Sequence, residues 1–153
     1  MEWVTERFEL NPSTTGITAV DGNGATWNAD IWDFKVPFNT QIELNPTDIF
    51  AAYLIGDDAA EMPGATQVRV VVRDVASESA LPILRDTLYQ RVKAFSDVKK
   101  LTKLPIDKMV TVETDEHIVV MVNGADAAGS GDTDASASHF RLVTTRKRKP
   151  LGR

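Results

Sequence analysis

Gln67-Val68-Arg69-Val70-Val71-Val72-Arg73-Asp74 is the stretch whose reading decides the fold. In an extended chain, successive side chains point to opposite faces, so Val68, Val70 and Val72 share one side. Arg69, Val71 and Arg73 share the other. Valine is stiff at χ1 and suits a pleated surface better than a helix. The segment therefore reads as a strand, and much of the chain on both sides repeats its pattern.

Working toward the N-terminus, Ile49 to Ile55 is a continuous apolar run bounded by turn residues. That composition suits a strand buried on both faces, or a short buried helix. Asn45-Pro46 marks a turn before it, and Ile42 and Leu44 an apolar face before that. Trp32, Phe34, Val36 and Phe38 alternate with Asp33, Lys35 and Pro37, the period of a half-buried strand. Pro37 lacks a ladder donor and belongs at an edge or a bend. Trp3–Leu10 and Ile17–Val20 are two further candidates, the second followed by the turn signal Asp21-Gly22-Asn23-Gly24.

Toward the C-terminus, Gly56-Asp57-Asp58 and Met62-Pro63-Gly64 bracket a loop. Val110 and Val112, then Thr114-Asp115, then Ile118, Val120 and Val122 predict an antiparallel hairpin. Phe140, Leu142 and Thr144 alternate with Arg141, Val143 and Thr145 as a last strand. One segment departs from the pattern: Leu81, Leu84, Leu88, Val92 and Phe95 fall at helical spacing. With Ser79 as N-cap and Pro82 in the first turn, this predicts a helix over about 80–96. Gly124–Ser138, rich in Gly, Ala and Ser, reads as a long loop of the kind that contacts something.

Together these segments predict a mainly β chain, a single antiparallel β-sandwich or jelly-roll-like domain over 1–145 with one inserted helix. At 153 residues and 42% hydrophobic, it can bury a core without a disulfide or structural metal, and it has no cysteine. Residues 138–153 hold six basic residues and no acidic one, while the other 137 residues carry 11 basic and 22 acidic groups. The reading is an acidic body followed by a basic C-terminal arm, 146–153, led by Arg146, Lys147, Arg148 and Lys149. Such an arm suits non-specific contact with nucleic acid or anionic lipid, or with the acidic face of a neighbouring copy. The first residues lack an apolar signal-peptide core, and no apolar run approaches membrane-spanning length.

Candidate chemistry is sparse. Trp27 and Trp32, beside Asp30 and Asp33, form a possible carbohydrate platform, since ring faces meet sugar C–H groups and carboxylates accept hydroxyl protons. Core or interface packing is the competing and commoner role for such rings. Asp126, Asp132 and Asp134 resemble a fragment of a calcium loop but lack its order and its terminal glutamate. His117 and His139 lack the partners a zinc site or a triad needs. Asp57, Asp58 and Glu61 form an acidic loop whose use as acid and base nothing else in the sequence supports. No catalytic residue, cofactor or metal site is expected.

Thr47-Asp48-Ile49-Phe50-Ala51-Ala52-Tyr53-Leu54, the valine-rich Gln67–Asp74, the Gly/Ala/Ser loop and the closing Ser138-His139-Phe140-Arg141-Leu142-Val143 with its basic arm carry a resemblance. In these the chain resembles the small β-sandwich coat or decoration proteins of icosahedral viruses and phages. The resemblance implies a non-enzymatic structural protein of the virion, made in the host cytoplasm. It implies assembly with copies of itself and other coat subunits through loops, strand edges and the arm. Removal of 146–153 is then expected to weaken assembly and leave the monomer folded.

Overall fold

The longest strand, His139–Arg148, organises the molecule. The computed structural model describes residues 2–19, 30–74, 80–93, 102–123 and 133–149. Their elements are β1 (Val4–Leu10), β2 (Ile17–Ala19), β3 (Asp30–Lys35), β4 (Thr40–Leu44), β5 (Ile49–Tyr53), β6 (Gln67–Arg73) and β7 (Ala80–Leu88). A single helical turn α1 (Tyr89–Val92) follows, then β8 (Thr102–Lys103), β9 (Val110–Val112), β10 (His117–Asn123) and β11 (His139–Arg148). They form two antiparallel sheets packed face to face.

In the first sheet β1 pairs with Leu142–Arg148 of β11. β5 pairs with His139–Val143 and β4 with Thr145–Arg148. A strand has only two flanks, so β4 and β5 lie end to end on the flank opposite β1. They are one long strand interrupted at Asn45-Pro46-Thr47-Asp48. β9 pairs with β4 and β8 with β5 on the far side, another interrupted strand. The sheet is thus four strands wide: β1, β11, β4/β5, β9/β8. The second sheet runs β3, β10, β6, β7, with short β2 added at the β3 edge. Apart from the β6–β7 hairpin, every step between these eight strands crosses from one sheet to the other. That is the double Greek key of a jelly roll.

The inner faces meet in one core. Trp32 and Phe34 of β3, Val68, Val70 and Val72 of β6, and Ile118, Val120 and Val122 of β10 face Leu10, Ile42, Leu44, Phe50, Ala52, Phe140 and Leu142. The Phe140 ring lies 4.8 Å from Trp32 and 6.1 Å from Phe50, joining the sheets. Thr144, also buried, donates its hydroxyl to the Glu43 carbonyl at 2.7 Å, so its burial leaves no orphan donor.

Several expectations need correction. The predicted helix over 80–96 is strand from Ala80 to Leu88, and among the described residues only Tyr89–Val92 is helical; 94–96 lie outside them. The register with β6 explains the misreading. It shifts twice, so that β7 spends two extra residues against Val68–Val71. Each bulge breaks the period of two, which puts Ile83 and Leu84 both in the core and spaces the leucines like a helix. Pro82 is accommodated because, among the described residues, β7 pairs only with β6. The expected hairpin is not one: β9 belongs to the first sheet and β10 to the second. The turn between them spends its bonds on the end of β3, with the Asp115 N–H donating to Val36 O and the Val36 N–H to Glu116 O. Asp115 takes φ 71°, which an aspartate tolerates.

Ile49–Ile55 is strand to Tyr53, but only the alternating Phe50, Ala52 and Leu54 are fully buried, so one face is interior rather than two. Phe38 does not continue the apolar face of β3. Pro37 turns the chain and leaves Phe38 77% exposed. Finally, β11 runs unbroken through Arg148, so a domain boundary at 145/146 would cut a paired strand.

Candidate interaction surface

Alternation along β11 places Phe140, Leu142, Thr144 and then Arg146 on the inner side, where the sandwich opens to solvent. Glu6 sits directly opposite Arg146 across the β1–β11 pair. Its Oε1 accepts from Arg146 Nε at 2.9 Å and Nη2 at 2.7 Å. Arg148 Nε reaches the same oxygen at 3.0 Å. The Arg146 guanidinium lies 4.4 Å from the Phe8 ring centroid, and Phe8 in turn sits 6.1 Å from Phe34 of the other sheet. Lys147, on the outer face, pairs with Glu43 of β4. Lys149 places its ammonium 4.9 Å from the Trp3 ring and donates its N–H to Asn39 O.

The basic run is therefore no free arm through Lys149; residues 150–153 lie outside the described ones. Each of its four cations has a partner on β1, on β4 or in the residues just before β1. Exposed ion pairs contribute little, but Arg146 combines a two-nitrogen contact, a ring face and partial burial, which makes it worth more. Its chemistry is closure of the core's open end and fixing of the β1 register.

The other sequence candidates scatter. Trp32 is 1% exposed and packed on Phe140, so it presents no face to a sugar. Its position on the inner face of the second sheet, rather than the nearby aspartates, decides its role. Trp27 lies outside the described residues, as do Asp126 and Asp132. Asp134 accepts from the Ser136 hydroxyl at 2.6 Å and from the Ser136 and Ala137 N–H groups, which makes a local turn. Those bonds, the hydroxyl first, hold its carboxyl below the usual aspartate range. His117 Nδ1 lies 2.6 Å from Asp33 Oδ1 on the outer face of the second sheet, whereas His139 is exposed at the start of β11 in the first. No cluster of three or more His, Asp or Glu placed to hold a metal occurs among the described residues. No helix among them is long and apolar enough to cross a membrane.

Glu61, part of the acidic loop for which the sequence supported no acid–base role, is a clamp. The buried Tyr89 hydroxyl donates to Glu61 Oε1 at 2.9 Å and accepts from the Leu54 N–H at 3.1 Å, while Lys93 pairs with the same carboxylate oxygen. The Lys93 hydrogen bond is the main reason that the Glu61 carboxyl titrates below 4.5. Burial pushes the Tyr89 hydroxyl up. A depressed carboxyl stabilises the fold above its ordinary value, and that contribution is lost as pH falls through the lower folded value. Glu61→Gln should therefore flatten the acid limb of stability in urea melts between about pH 3 and 7. Tyr89→Phe, which orphans the Leu54 N–H, should cost about 1–3 kcal/mol at neutral pH.

What sequence reading missed is an exposed apolar rim at the Arg146 end. Val4 lies opposite Arg148, Arg148 opposite Thr40, and Lys149 bonds to Asn39, which follows Phe38. Trp3, Val4 and Phe38 thus share one end of the sandwich and are 38%, 45% and 77% exposed. The only local signal was Pro37-Phe38-Asn39, whose turn residues flank the phenylalanine. Asn39 takes φ 56°, as the turn requires. Large apolar side chains gathered at one end mark contact surface rather than a catalytic cleft.

Comparison with known proteins gives one informative result. No family model matches the chain, and no curated protein sequence matches it. Among solved structures it is similar to VP17, a capsid protein of bacteriophage P23-77, with a TM-score of 0.62 and 8% sequence identity. The match covers 99% of this chain and 98% of that one, so the two share a fold from end to end.

Proposed function

We propose that this chain is a structural virion protein, a capsid subunit with no catalytic role. The observation that carries the reading is the end-to-end likeness to a capsid protein's jelly roll, with almost nothing left over in either chain. Jelly rolls also serve lectins and enzymes, so fold alone does not decide function. The surface supports the choice: among the described residues Trp3, Val4 and Phe38 form an exposed apolar rim at one end of the sandwich. Its partners are copies of itself and other coat subunits, met through strand edges, loops and this rim. It is made in the host cytoplasm and resides in the virion. Within the basic run, Arg146 and Lys147 hold the fold, and Arg148 and Lys149 are the exposed cations left to meet nucleic acid or anionic lipid.

Light scattering across concentration and salt tests the reading. The expected result is a dimer or larger assembly that loosens with salt. A strict monomer at 16.8 kDa under all conditions counts against it.

A further inference from the structure

Each sheet has two edges, and among the described residues three of the four edges are blunted. On the first sheet, the β8 and β9 edge is broken into pieces of two and three residues. On the second, β2 has three residues, while β7 carries Pro82 and two bulges. Natural proteins use such devices to prevent edge-to-edge pairing. β1 has none of them. It pairs with β11 in unbroken register from Val4 to Leu10, contains no proline, and among the described residues pairs with nothing on its other flank. Its one inward charge, Glu6, is already neutralised by Arg146 and Arg148.

We infer that the β1 edge is a self-association site, at which a second copy of this chain adds its own β1 antiparallel across a two-fold axis. The sequence of β1 is self-complementary in that arrangement. With Phe8 opposite its counterpart on the axis, Arg7 falls opposite the partner's Glu9 and Glu9 opposite the partner's Arg7. All four are on the outer face, which the alternation of Phe8 and Leu10 inward requires. A two-fold contact repeats each favourable pair, so one register gains two opposite-charge pairs with no like-charge pair opposed. Within one copy, Arg7 also reaches toward the buried Asp48 at 3.7 Å and Glu9 meets Arg141 at 3.0 Å. The Arg7 side chain is 62% exposed and that of Glu9, which also accepts from Asn11 Nδ2, is 42% exposed, so both can still be reached by a neighbour. Pairing would join two four-stranded sheets into one of eight strands. The inference rests on the capsid reading for its setting, and on the edge geometry for its content.

Charge reversal tests it. Arg7→Glu and Glu9→Arg should each weaken self-association about tenfold or more, because each opposes like charges twice across the edge. Mixing the two variants in equal amounts should restore pairing, since every opposed pair is then attractive. Because Arg7→Glu sets a second carboxylate near Asp48 and could unfold the chain, amide hydrogen exchange on the wild type supplies a second readout. Val4–Leu10 amides should gain protection as concentration rises. Variants that associate like wild type, a mixture that fails to restore pairing, or β1 exchange indifferent to concentration overturns the inference. If exchange at β1 stays indifferent while light scattering reports assemblies, the edge inference fails and the capsid reading stands. A monomer by both measures sinks both.

Discussion

Ending the chain after Thr145 is expected to abolish folding. The residues removed include Arg146, Lys147 and Arg148, which pair with Glu6, Thr5 and Val4 on one flank and with Ile42, Gln41 and Thr40 on the other. Six register positions lose their partner. At roughly 1 kcal/mol net per lost ladder bond, the deficit is about 5 kcal/mol or more, at the low end of a whole domain's stability. The loss also strips the Arg146 guanidinium from Phe8 and opens the core at that end. Ending the chain after Lys149 keeps all of these contacts and should leave the protein folded. Circular dichroism melts of the two truncations check the contrast. A folded, cooperative 1–145 protein would restore the free-arm picture that the charge distribution first implied.

Phe140→Ala produces the second large effect. Phe140 is the ring through which Trp32 of the second sheet and Phe50 of the first meet, at 4.8 and 6.1 Å. Truncating it removes dispersion contacts to both sheets and leaves a cavity that rigid strands on two sides cannot collapse. A loss of about 3–5 kcal/mol is expected, lowering the melting temperature by roughly 10 °C or more. Phe140→Leu, which keeps most of the volume, should cost far less. Equal effects of the two substitutions would mean that the ring does not bridge the sheets.

How much of this was legible in the sequence follows from the range of the forces involved. Strands such as Gln67–Arg73 and the start of β11 were readable, because facing alternates locally and valine and phenylalanine mark the inner side. The β4–β5 interruption was readable too, since Asn45-Pro46 ends one ladder. β7 was misread because its two bulges, set by pairing with β6, leave leucines at helical spacing. The β9–β10 turn has the composition of a hairpin; only the end of β3 at Val36 decides that it crosses between sheets.

The candidate site was less legible. Composition showed a basic terminus but not its parity. Extending the alternation of Phe140, Leu142 and Thr144 by one step would have placed Arg146 inward, but its partner Glu6 lies 140 residues away in sequence. Trp32 looked like a platform because aspartates flank it, yet Asp33 alternates to the opposite face of the strand and meets His117 there. The open edge of β1 is a property of the whole topology, visible only once the other three edges are known.

The capsid reading is tested most directly by locating the chain in intact virions, through peptide mass spectrometry of purified particles followed by density for the shell. The expected result is a constant, high copy number, with this jelly roll standing as a subunit of the shell and its Trp3–Val4–Phe38 rim buried against neighbours. Particles that lack the chain, or a shell with no density for it, would contradict the account.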